Sequence, residues 1–143
     1  MARFLAATMP TLTVEALCSE AAQFSVAESR HPEPLLYGVT DGKAVGTYLE
    51  QKFRFYLKEH YEFVEGNSAS GIDFPELLVD VKVTSIKQPQ SSCPFKSARQ
   101  KIFGLGYSLI IFIYDKTDNS ANRSATLNIL HAIYVSAVYR ANS

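Results

Sequence analysis

The chain has 143 residues, enough for one domain with a real core. Hydrophobic residues make up 47% and charged residues 20%, an ordinary globular balance that excludes a disordered chain. Lys+Arg and Asp+Glu are 14 each. A zero sum excludes a uniformly basic surface but not nucleic-acid binding, because acidic ligands and basic contacts cancel in the total.

In chain order, "TVEALCSEAAQFSVAES" (13–29) predicts a helix with Thr13 as N-cap and Val14, Leu17, Ala21, Phe24 and Ala27 as its buried stripe. Two prolines in "RHPEP" end it, and "YGVTDGKAVG" is rich in turn formers. A second helix is expected over 43–61, with Val45, Leu49, Phe53 and Leu57 at four-residue steps. After the turn "EGNSASG", a short strand near Ile72–Phe74 is expected to pair with a longer one over Leu77–Ser85. There Leu77, Val79, Val81 and Val83 alternate with Leu78, Asp80, Lys82 and Thr84. "PFKSARQKIFGLG" reads as a helix opened by Pro94. "YSLIIFIYD" (107–115) is apolar on both faces, as in a central strand covered on both sides. The run 126–138 is ambiguous between helix and strand, with Ile129, Ile133, Tyr134, Val135 and Val138 favouring a strand. Together these give an α/β fold: a small mixed sheet flanked by helices. Phe53, Phe55, Tyr56, Phe112 and Tyr114 are expected in the core, and His131 reads as a core histidine.

Cys18 and Cys93 are far apart and show no zinc spacing, which fits two reduced thiols in a cytoplasmic protein. The apolar run near the N-terminus is broken by Thr8, Pro10 and Thr11, a weak secretion signal. No apolar stretch reaches the roughly 20 residues of a membrane span.

The chemistry concentrates in "GIDFPELLVDVKVTS" (71–85). Asp80 and Lys82 share one strand face, about 6 to 7 Å apart along it. Asp73 lies seven residues upstream, aimed by a turn at "FP". Two converging carboxylates repel unless a cation sits between them. Mg²⁺ suits such a pair, because it needs only one or two carboxylates beside water and substrate phosphate. With a lysine in reach, the set is equipped for metal-assisted phosphodiester hydrolysis. The plain alternative is a same-face pair on a half-solvated strand.

"GIDFPELLVDVK" resembles the PD-(D/E)xK nuclease signature, with Asp73 as first acid and Asp80-Val81-Lys82 as the second element. Ile72 replaces the usual proline. The close spacing is similar to the DFxxLxxxxK pattern of the methyl-directed mismatch-repair nicking endonuclease and its restriction-enzyme relatives. "GKAVGTYLE" matches their upstream helix through Lys43, Gly46 and Glu50. The likeness covers about residues 38–116 and points to type II restriction endonucleases.

The resemblance implies a restriction-endonuclease-like core and an Mg²⁺-dependent endonuclease acting on double-stranded DNA as a homodimer. Within it, Asp73, Asp80, the Val81 carbonyl and Glu50 would hold metal, Lys82 would orient water, and Lys43 would touch a phosphate. A DNA-repair nickase, a junction resolvase or a non-catalytic DNA-binding module on the same scaffold are the alternatives. Lys87, Gln88, Gln90, Ser91 and Ser92 follow the catalytic strand and suit DNA contact, or form a plain polar loop. Lys96, Arg99 and Lys101 offer charge to a phosphate backbone, or a solvated helix face. The expected unit is a single nuclease domain over 1–143. Because "YRANS" follows a strand so closely, the chain is expected to be an N-terminal piece of a longer enzyme.

Overall fold

The computed structural model describes residues 8–66, 71–87 and 106–137. Helix α1 (Val14–Glu28) opens on Thr13, whose hydroxyl accepts from the Ala16 amide at 3.1 Å. Helix α2 (Gly42–Lys58) opens on Asp41, whose carboxylate accepts from the Lys43 amide at 3.0 Å. Strands β1 (Val79–Ser85), β2 (Ser108–Asn119) and β3 (Ser124–Val135) form one sheet in the order β1-β2-β3. β1 runs parallel to β2, and β2 antiparallel to β3 with a bulge at Ile113/Tyr114. The fold is a mixed α/β one, with two helices on a small mixed sheet. The run 126–138, ambiguous in sequence between helix and strand, is strand as far as Val135, and Val138 lies outside the described residues. The helix expected from Pro94 lies outside the described residues.

α1 packs on β3 and α2 on β1. The stripe Val45, Leu49, Phe53 and Leu57 is wholly buried and meets Val79, Val81, Ile110, Phe112 and Tyr114. At its centre Phe53 lies 5.1 Å from Phe24, 5.2 Å from Phe112 and 6.4 Å from Phe74, ring to ring. Such tilted and edge-on pairs add stability beyond burial alone. Leu109, Ile111 and Ile113 are buried on the opposite face of β2, so the central strand is covered on both sides as its sequence indicates.

Several expectations are corrected. The strand expected from Leu77 begins at Val79, because Pro75–Leu78 form a turn in which Leu78 takes the left-handed conformation, φ 55°. The strand expected at Ile72–Phe74 reduces to one antiparallel bridge, Phe74 to Val79. Ala27 is exposed and Glu28 buried in its place at the end of α1. Phe55 is 73% exposed: it stands two residues from Phe53 and therefore on another side of α2. His131 is exposed, since β3 is buried at Ala125, Leu127 and Ile129 but open from Leu130 to Tyr134.

Candidate active site

β1 is an edge strand, and its free edge faces the loop that carries Asp73. Phe74 and Val79 exchange both backbone hydrogen bonds, at 3.0 and 3.2 Å, closing the 74–79 turn. That clamp sets Asp73 directly beside β1. The Asp73 amide donates to Asp80 Oδ1 at 3.1 Å, and the Val81 amide donates to Asp73 Oδ2 at 2.9 Å. Backbone groups alternate sides along a strand, so the Val81 carbonyl turns to the same edge as its amide.

Lys82 pairs with Asp80, Nζ to Oδ2, at 3.0 Å. Asp80 is 5% exposed, so it is no surface carboxylate. Thr84, on the same strand face, is buried as well. α2 brings Glu50 to the site from above. Glu50, Asp73, Asp80, Val81 and Lys82 line one cavity of about 340 Å³, together with Arg54, Gly66, Gly71 and Ile72.

The electrostatics are those of crowded acids. Asp73 is pushed up to about 7, first by burial and then by the Asp80 carboxylate beside it, with the Val81 amide opposing. Glu50 is raised by burial and by Asp80, against the pull of Arg54 and Lys82. Burial works to lower the Lys82 pKa, but the charge and hydrogen bond of Asp80 outweigh it and the pKa rises. Lys82 is therefore a cation at neutral pH.

Among the described residues no group of three or more His, Cys, Asp and Glu side chains forms a ready metal cage. Mg²⁺ does not need one. It binds hard oxygens through one or two carboxylates and keeps waters for the rest. The Asp73/Asp80 pair fits that requirement, since burial and the Asp80 carboxylate make Asp73 costly to ionise and a divalent cation offsets that cost.

Lys43 is exposed in the first turn of α2 and does not line this cavity. Lys87 lies past the end of β1, paired with Asp115 at 3.1 Å, in a separate cleft of about 450 Å³ that Gly42 also lines. Gln88, Gln90, Ser91, Ser92, Lys96, Arg99 and Lys101 lie outside the described residues. Sequence reading missed Arg54, whose Nη1 donates to Asp73 Oδ1 at 2.8 Å. Its signal was available: Arg54 stands four residues after Glu50, on the same helix face. Gly66 was missed too, and its amide donates to the Asp73 carbonyl at 3.0 Å.

Paired aspartates with a bonded lysine at a sheet edge define a class of site in which hard carboxylate oxygens stand beside a fixed ammonium. The chain belongs to the family described as type II restriction enzyme NspV, whose sequence model matches residues 11–142. It is 85% identical over 129 residues to the type II restriction enzyme NspV of Nostoc sp. (strain ATCC 29411 / PCC 7524). That match covers 90% of this chain and 59% of that protein, so the chain spans well under two thirds of the relative's length. No solved structure matches. No helix among the described residues is long and apolar enough to cross a membrane.

Proposed function

We propose that this chain carries the catalytic centre of an Mg²⁺-dependent type II restriction endonuclease that hydrolyses phosphodiester bonds in double-stranded DNA. The reading rests on one observation above all: Asp73, Asp80 and Lys82 meet, with Glu50, around a single cavity at the edge of β1. The family match supports it, and so does the PD-(D/E)xK pattern that these residues fit. The small mixed sheet with a helix over the acid-bearing strand is compatible with the restriction-endonuclease-like core of that superfamily.

Asp73, Asp80 and the Val81 carbonyl would hold Mg²⁺, with Glu50 beside them. When bound, the ion supplies Lewis-acid polarisation of the phosphate and an acidified water. The chain's own residues do the rest. Lys82, fixed by Asp80, holds the attacking water and faces the charge that grows on the phosphate oxygens. Asp80 keeps that ammonium in place and charged.

A double-strand cut needs one such centre per strand, and two copies of the chain would supply them. The test is supercoiled plasmid incubated with Mg²⁺ or with EDTA, for the natural chain and for Asp80→Ala. Metal-dependent cutting that Asp80→Ala abolishes is expected, while circular dichroism of the variant stays native. Discrete bands would mark site specificity. No cutting at any Mg²⁺ concentration would favour a non-catalytic DNA-binding module, and nicked circles alone a nickase.

A further inference from the structure

Five charged side chains line the cavity: Glu50, Arg54, Asp73, Asp80 and Lys82. Arg54 alone has no part in the chemistry above. Three are acids and two are cations. Lys82 is committed to Asp80, which leaves Arg54 as the cation on Asp73.

Its guanidinium spans two acids. Nη1 donates to Asp73 Oδ1 at 2.8 Å, and Nε stands 3.8 Å from Glu65 Oε1. Glu65 is shared with Lys58, which pairs with its other oxygen. With the Val81 amide on Oδ2, both oxygens of Asp73 are already engaged. A divalent cation that approaches Asp73 therefore meets a positive charge in its path. Arginine's fork has a second anchor available, so leaving Asp73 does not strand an unpaired charge, which would be costly in a half-buried setting.

We propose that Arg54 is the site's stand-in cation: it neutralises Asp73 while the metal is absent, and withdraws to Glu65 when a divalent cation takes its place. This rests on the metal-dependent reading of the site. Arg54 is then a positioning residue that tunes metal loading.

The test uses Ca²⁺ alone, without DNA, titrated calorimetrically into the natural chain, Arg54→Met and Arg54→Lys. Thermal melts in EDTA and in Ca²⁺ accompany each titration. Removing the competing unit charge should tighten Ca²⁺ binding on the order of tenfold. Arg54→Met should melt lower than the natural chain in EDTA yet gain more from Ca²⁺. Arg54→Lys should return the affinity close to the natural value. Equal or weaker Ca²⁺ binding by folded Arg54→Met would make Arg54 a fixed strut and overturn the proposal. Should Arg54→Met not fold, Glu65→Gln decides: losing the second anchor keeps Arg54 on Asp73 and must weaken Ca²⁺ binding, and unchanged affinity overturns the proposal. If the natural chain binds neither Ca²⁺ nor Mn²⁺, the metal-dependent reading itself fails. Binding that Asp73→Asn loses and Arg54→Met leaves unchanged sinks only the role of Arg54.

Discussion

Lys82 is half-buried beside a buried carboxylate, and its charge is favoured by that neighbour more than it is opposed by burial. It should act through position and charge, not as a neutral base. Lys82→Ala should slow cleavage by about 10² to 10³, the usual cost of one such electrostatic contact, with DNA binding in Ca²⁺ retained. Lys82→Arg should be nearly as slow, because a planar fork cannot occupy the point of a compact ammonium. Single-turnover rates measure both, and a Lys82→Ala rate close to the natural one would remove Lys82 from the chemistry. Asp73 gives the metal-free protein a pH signature. Its folded pKa, about 7, lies above the ordinary carboxylate value, so the folded state binds more protons than the unfolded one between the two. Stability from this group is present at low pH and lost as pH rises through about 7. In EDTA the melting temperature should fall from pH 4.5 to pH 8 more steeply for the natural chain than for Asp73→Asn. A divalent cation should flatten the fall. Equal slopes for the two proteins would show that the Arg54 contact offsets burial and keeps Asp73 ionised in the metal-free protein.

At the scale of elements, the α2 stripe was legible because every fourth residue is apolar and every one is buried. β1 was half legible. Its alternation was visible, but Asp80 and Thr84 are buried where a polar strand face suggests water, and Asp80 lines the site cavity. The 75–78 turn hid inside an apolar run, "LLV", whose composition reads as strand although Leu78 is left-handed. Arg54 was legible in its spacing, four residues after Glu50 on one face of α2, although the other Lys and Arg residues of that helix compete as candidates. Gly66 was hidden because its role is spatial. A Cβ there would lie 1.6 Å from the Ile72 carbonyl oxygen and 2.7 Å from its carbon, a backbone that cannot step aside cheaply. Gly66→Ala should therefore push the Ile72–Asp73 segment away from β1 and break the Val81–Asp73 hydrogen bond. Cleavage should fall at least as far as in Lys82→Ala, and Ca²⁺ binding should weaken with it. A Gly66→Ala protein that binds Ca²⁺ like the natural chain would mean that the loop relaxes elsewhere.

On the scale of the whole molecule, site and core are one piece. Phe74 follows Asp73 in sequence and is fully buried against Phe53 and Phe63, while Phe53 also meets Phe24 of α1 and Phe112 of β2. Glu50 and Arg54 ride on the same helix that supplies Phe53. The aromatic cluster thus ties α2 to the loop that carries Asp73 and to β2, the strand beside β1. Truncating such a ring usually costs about 3 to 5 kcal/mol, a large share of the roughly 5 to 15 kcal/mol that holds a domain folded. Phe53→Ala should lower the melting temperature strongly, and Phe53→Leu less. A ligand that binds only the folded state returns stability by mass action, about 2.7 kcal/mol at a hundredfold excess over its Kd. Metal should accordingly rescue part of the loss. For Phe53→Leu, saturating Ca²⁺ should raise the melting temperature by less than it does for the natural chain, because a loosened α2 holds Glu50 and Arg54 at varying distances from Asp73 and Asp80. An equal Ca²⁺ increment in both proteins, measured by calorimetric melts at matched saturation, would show that the acids keep their geometry without the aromatic cluster and that β1 with its loop forms the metal site unaided.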